Sequence, residues 1–400
     1  MKKFVALFLV LIMILCSVCA VAEPANGRTA IAKEDLLVGV ILLHDENIGY
    51  DYAHIQGVEG MKEALGLTDD QVIYEYGKPE NEEAYEAAVR LANRGCQIIF
   101  ADSFGHEDYM MQAAAEYPEV EFCHATGYQA ASSGLVNMHN YFTNVYESRY
   151  VSGVVAGMKL AEVYGADTDA KLGYVGAYSY AEVVSGYTSF FLGVRSICPN
   201  VTMEVKYTGS WADQAAERET ALSLIEDGCV LISQHADTTG AASACNDKNV
   251  LHVGYNVGMI DTAPAVELTS ASIKWAPYYT YAVQCMIDGT AIDTDWSSGH
   301  VDNAVWITDL NADVIAAGTE EKVNEVWAAI DNGTLKVFDT STWTVNGAKV
   351  ESTVDVEGYY GLEYILKDDA GVSYFAESTL ASAPAFAFRI DGITELNSVY

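Results

Sequence analysis

From residue 36 onward, short runs of apolar and β-branched residues alternate with longer stretches in which apolar positions recur every three to four residues. A short apolar run suits a strand buried on both faces, and the longer amphipathic pattern suits the helix that covers it. The alternation therefore predicts βαβ units around a parallel sheet. Strands are expected at 35–43, 71–76, 96–101 and 120–125, with helices at 52–65, 81–94 and 108–117. Gly95 follows the second helix where a left-handed cap belongs. A second series begins with a helix at 145–164 and continues through strand 171–177, helix 183–197, strand 201–208 and helix 212–227. Strand 229–235, a helix at 240–248 and strand 250–255 complete it. Two such series in tandem imply two doubly wound α/β lobes.

Beyond residue 268 the pattern reads as a bridge, 269–275, then a helix, 277–287, that ends at Asp288-Gly289 and returns to the first lobe. The expected organisation is a first lobe of 36–144 plus 274–332 and a second lobe of 145–273. The hinge is expected at 142–145 and 269–273, where the chain leaves one series for the other. Residues 333–400 read as a β-rich C-terminal extension, with Asn346-Gly347 as a two-residue hairpin signal.

The amino end is a different kind of segment. Lys2 and Lys3 precede an apolar run from 4 to 15, too short for a bilayer span of ~20 residues but suited to a signal-peptide core. Ala20 and Ala22 supply a cleavage site, so 1–22 is read as a signal peptide and the chain as exported, to the outer face of the cell membrane or the periplasm. A lipid anchor is the competing reading. It would need a small residue before its cysteine, whereas Cys19 follows Val18 and Cys16 follows Leu15.

Charge narrows the partners. With 21 Lys and Arg against 56 Asp and Glu, the net charge of −35 repels phosphate backbones, so no nucleic-acid partner is expected. Half the residues are hydrophobic and 19% are charged, which describes a globular chain. Six cysteines follow the leader, none in a CxxC pair, and they read as buried small hydrophobes rather than metal or redox groups. No phosphate-cradling glycine loop, nucleophile elbow or HExxH motif occurs, so neither a cofactor nor a catalytic engine is expected.

In open α/β sheets ligands bind at the carboxyl ends of the strands, and aromatic and polar residues gather there. The first lobe offers His44, Asp45, Tyr50 and Tyr52, then Asp102, Ser103 and Phe104. The second offers Tyr178, Tyr180, Ser210, Trp211, Asp213, His235, Asp237 and Asn256, and the bridge carries Lys274 and Trp275. Aromatic planes with a few donors and acceptors suit a flat heteroaromatic ligand.

Several segments in order, among them GVEGMKEAL at 57–65, IIFADSFGHEDYMMQAAAEYPEVEF at 98–122, YESRYVSGVVAGM at 146–158 and YTGSWADQAAERETALSLIEDG at 207–228, resemble the basic membrane protein family of substrate-binding proteins. That resemblance covers roughly 36–289, and the SAPAFAFRIDGI stretch is similar to a subset of members. It implies the type I periplasmic-binding-protein fold, a purine base or nucleoside held in the cleft, and an ABC permease and ATPase as partners of a monomer. The family's first-loop aspartate and aromatic correspond to Asp45 with Tyr50 or Tyr52, its second-lobe aromatic to Tyr187, its acidic residue to Asn256 and its bridge lysine to Lys274. The GYNVG and SWADQ forms are similar to those of members that bind a free base. Two alternatives remain open: an exported nucleoside- or sugar-processing enzyme, and a ligand-presenting signalling receptor of the same fold.

Overall fold

The computed structural model of the chain describes residues 29–400, so the expected signal peptide lies outside the described residues. The first series forms β1 (Val38–Ile41), α1 (Gly49–Leu65), β2 (Val72–Glu75), α2 (Glu82–Asn93), β3 (Ile98–Ala101), α3 (Glu107–Glu116), β4 (Glu121–Ala125), α4 (Ala130–Ser133) and β5 (Met138–Thr143). The second forms α5 (Val145–Tyr164), β6 (Lys171–Gly176), α6 (Ala181–Arg195), β7 (Thr202–Tyr207), α7 (Gln214–Glu226), β8 (Leu231–Gln234), α8 (Gly240–Lys248), β9 (Leu251–Tyr255) and β10 (Glu267–Ile273). The chain then returns to the first lobe as α9 (Ala276–Asp288) and β11 (Asp295–Ser298), and to the second as β12 (Val305–Ile307) and α10 (Thr319–Asp331). Three short strands follow, β13 (Ile365–Lys367), β14 (Ser373–Phe375) and β15 (Ile393–Glu395).

The first sheet has the order β2-β1-β3-β4-β5-β11 and is parallel throughout. The second runs β12-β10-β9-β8-β6-β7-β15 and is parallel except for β12. β1 and β3 are buried at every position because helices cover both faces. Local chemistry sets the helix ends. Asn81 caps α2 by accepting from the Glu83 N–H, Asp213 caps α7 through the Ala216 N–H, and Gly66 ends α1 at a φ of 65°. Helices α5 and α6 approach so closely that a Cβ on Gly153 would lie 2.1 Å from the Phe190 carbonyl oxygen.

The crossings differ from expectation in two places. The chain passes between lobes at Asn144, at Lys274–Trp275 and again between β11 and β12. Residues 269–273 are therefore not a hinge but part of β10, buried along its length in the second sheet. Residues 305–331 join the second lobe rather than the first, because β12 pairs antiparallel with β10 and α10 packs on α5. The extension is also less regular than a β-rich reading implies. Its core is an aromatic cluster of Phe338, Trp343, Tyr359, Tyr364, Phe375, Phe386 and Phe388, and only β15 joins a main sheet. The Asn346-Gly347 turn does form, bracketed by a Val345–Ala348 bridge, with both central residues at positive φ. Cys96, Cys123, Cys198, Cys229, Cys245 and Cys285 are all buried and free.

Candidate functional site

A cavity lies between the lobes, and each of its walls comes from the carboxyl end of a strand or the start of the following helix. Leu43, Tyr50 and Asp51 follow β1, Asp102, Ser103 and Phe104 follow β3, and Thr126 follows β4. The second lobe supplies Glu182 from α6, Trp211 after β7, His235 and Asp237 after β8, and Tyr255 from β9. The enclosed space is about 20 Å³, enough for roughly one water. Side chains from the two lobes thus meet across a nearly closed cleft.

Aromatic rings close one side. Phe104 stacks on Tyr180 with centroids 4.9 Å apart, and Tyr180 stacks on Tyr178 at 5.2 Å. Tyr178 in turn meets Trp211 edge-on at 5.1 Å. Opposite charge does not balance the acids that line the rest. Asp51 is 1% exposed and accepts the His44 N–H at 2.7 Å, while Asp102 accepts the Leu43 N–H at 3.1 Å. Burial, reinforced by the neighbouring Asp51 carboxylate, pushes the Asp102 carboxyl well above the usual range. Burial does the same to Asp237, and it pushes Glu182 up to about 7. A carboxyl whose pKa is raised holds its proton to higher pH, and while it does so it can donate as well as accept hydrogen bonds.

The nearest fixed cation is Arg149, on α5, whose guanidinium lies 3.6 Å from the centre of the Tyr255 ring and donates to the Gln234 carbonyl. It is 1% exposed, and its positive charge opposes the upward shift of Glu182. His235 meets Glu182 at 3.2 Å, and burial holds its imidazole neutral by pushing its pKa well below the ordinary value. Among the described residues no cluster of His, Cys, Asp and Glu is arranged to hold a metal ion.

Residues 43–341 match the family of PnrA-like ABC transporter substrate-binding proteins, Bmp. The chain belongs to the Bmp family. A purine-binding protein of Brucella abortus is 33% identical over 340 residues, spanning 84% of this chain and 94% of that one. A Haloferax volcanii protein, provisionally named as the glucose-binding protein of an ABC transporter, is 29% identical over 76% of each chain. Among solved structures, an ABC transporter solute-binding protein from Conexibacter woesei superposes with a TM-score of 0.61 at 21% identity, over 75% of this chain and 98% of that one. The fold is the type I fold of periplasmic solute-binding proteins, and the family acts outside the cytoplasm with small-molecule ligands, a permease and an ATPase. No described helix is long and apolar enough to cross a membrane.

In this Bmp protein the cavity brings together Tyr50, Asp102, Ser103, Phe104, Trp211, His235 and Asp237 from the residues expected at the site. Asn256 stands just behind them, its Nδ2 donating to Asp237 Oδ1 at 2.8 Å. Other expected residues lie elsewhere, among them Asp45, Tyr52, Tyr187, Lys274 and Trp275. Asp45 sits on an exposed turn holding Asn47, and the buried aspartate of that region is Asp51, in the first turn of α1. Tyr52 is 40% exposed because it lies on the face of α1 turned from the cavity. Tyr187 is fully buried in the second-lobe core, with its hydroxyl on Glu395 at 2.9 Å. Lys274 reaches over Trp306 and donates to Asn303, and Trp275 is buried against His54 at 4.0 Å. Both belong to the crossing and a groove beside it rather than to the cavity.

Sequence reasoning did not select Leu43, Asp51, Thr126, Glu182, Tyr255 or the supporting Arg149 as site residues. The signal available for Arg149 and Glu182 was a charge that is buried near the start of largely apolar helices, α5 and α6.

Proposed function

We propose that this Bmp protein captures a neutral purine base or nucleoside between its lobes and presents it to an ABC importer. The observation that carries this reading is the stacking of aromatic planes from opposite lobes, Phe104 on Tyr180, which in turn meets Trp211, beside buried acids whose pKa values burial raises. Flat rings gain from two aromatic faces, and protonated and ionised carboxyls beside them can match the mixed donor and acceptor edge of a purine. An anionic ligand such as a nucleotide would meet Asp51 and the net charge of −35, with Arg149 shielded behind Tyr255. The name of the Brucella abortus relative agrees with a purine.

On this reading the protein acts as a receptor rather than an enzyme. A calorimetric panel of adenine, guanine, hypoxanthine, their nucleosides, AMP, ribose, glucose and amino acids tests the reading. Heat of binding from a base or nucleoside, without turnover on prolonged incubation, is the expected result. Binding of glucose, ribose, AMP or an amino acid with none from any purine overturns it.

A further inference from the structure

We propose that residues 393–399 are a positioning element of the ligand site, holding in place the loop that carries Tyr178 and Tyr180. The proposal rests on the reading of the cleft as a site for a flat ring. β15 lies along β7, which would otherwise be the edge of the second sheet with its outer backbone groups unpaired. The pairing continues past the strand. Leu396 N–H donates to Val205 O at 2.8 Å, and the Asn397 amide clamps Tyr207 from both sides, accepting its N–H at 2.8 Å and donating to its carbonyl at 2.9 Å. Tyr207 ends β7, and Trp211 follows four residues later.

The same segment then reaches the loop after β6. Ser179 N–H donates to the Val399 carbonyl at 2.7 Å, and Val399 N–H donates to Ser179 Oγ at 2.9 Å. Arg389, also in the extension, donates to the Ser179 carbonyl at 3.3 Å. The backbone N–H, the carbonyl and the hydroxyl of Ser179 are thus all engaged by the extension. On either side of Ser179 stand Tyr178 and Tyr180, the rings that meet Trp211 and Phe104. One segment therefore fixes both loops of the second lobe that bear the aromatic wall, although none of its own residues lines the cavity. A loop held this way presents its rings already ordered, so less conformational entropy is lost when a ligand docks.

Deletion of residues 398–400 removes the Ser179–Val399 pair and leaves β15 and Asn397 in place. The readouts are hydrogen exchange at the Ser179 and Tyr180 amides of the ligand-free protein and the dissociation rate of adenosine by stopped-flow fluorescence. Loss of two hydrogen bonds from one loop should speed exchange there by about tenfold or more and adenosine release by roughly 5- to 30-fold, with the melting temperature nearly unchanged. Ser179→Ala, which removes only the hydroxyl acceptor, should show the same pattern at roughly 2- to 5-fold and serves if the deletion does not fold. Unchanged exchange and release in both variants, or changes that follow only a general loss of stability, overturn the proposal. If wild-type protein binds neither adenosine nor any other purine, it is the purine reading that fails, and the exchange measurement still decides the role of the segment.

Discussion

Phe104 of the first lobe stacks on Tyr180 of the second, with ring centroids 4.9 Å apart and planes 25° from parallel. The contact joins the lobes at the place where a planar ligand would sit, so the closed cleft already brings two aromatic faces to stacking distance. Trp211 completes the wall. On the proposed purine reading, Phe104→Ala and Trp211→Ala should each weaken ligand binding by about 1.5–3 kcal/mol, roughly 10- to 150-fold in Kd, from lost burial plus lost stacking. Isothermal calorimetry checks this. A Trp211→Ala protein that binds within a factor of two of wild type would assign the ring to inter-lobe packing alone.

A cavity of about 20 Å³ is too small for a base or a sugar, so entry of either requires the lobes to separate. Direct links across the cleft are few and include the Gly49 N–H donating to the Asp237 carbonyl at 3.4 Å. Opening should therefore be a rigid-body motion about the crossings at Asn144, Lys274–Trp275 and the segment between β11 and β12. Small-angle scattering should show a smaller radius of gyration on adding ligand. Equal radii with and without saturating ligand would argue against a hinge at these crossings.

The strands were legible because a parallel strand covered on both faces is a nearly unbroken apolar run, as in Val38–Ile41 and Ile98–Ala101. Their carboxyl ends followed directly, and with them Phe104, Trp211 and Asp237. Asp51 was not legible in the same way. A loop aspartate and one in the first turn of a helix look alike in sequence, and only burial against the β1 terminus separates Asp51 from Asp45. Tyr187 was misplaced for the converse reason: a tyrosine in an apolar helix can face a core as easily as a cleft, and here Glu395 receives its hydroxyl. That partner lies 208 residues away in the chain, and β15 pairs with β7 across a separation of 190 residues, Ile393 against Met203, so local pattern carries no trace of either.

Gly153 and Gly193 face each other where α5 crosses α6. A Cβ on either would lie 2.1 Å from a carbonyl oxygen of the opposite helix, Phe190 O for Gly153 and Tyr150 O for Gly193. Alanine favours a helix over glycine by about 1 kcal/mol, but here the backbone itself is the obstacle and the helices must move apart. Gly153→Ala should therefore destabilise the second lobe by about 1–3 kcal/mol in urea denaturation. A gain in stability would show that the crossing relaxes freely.

Glu182 offers a test of the buried acids through pH. Its carboxyl is pushed from an ordinary 4.5 up to about 7, first by burial, with Arg149 pulling the other way. An unfolded chain releases this proton near 4.5, whereas the folded protein keeps it until about 7, so between these values the folded state binds more protons. Raising the pH through that window therefore costs stability, and above it both states are ionised and the cost is constant. His235, beside Glu182, contributes with the opposite sign: burial holds it neutral, so stability is lost as pH falls below its ordinary value of 6.5. Glu182→Gln keeps His235 and every other titrating group, removes the first contribution and relieves part of the upward push on Asp237. Relative to wild type, the variant should gain about 1–3 kcal/mol between roughly pH 5 and pH 8, read from urea denaturation at each pH. Parallel stability curves for the two proteins would mean that Glu182 ionises at its ordinary value, and that the acids around the cavity carry more negative charge than a neutral ligand site allows.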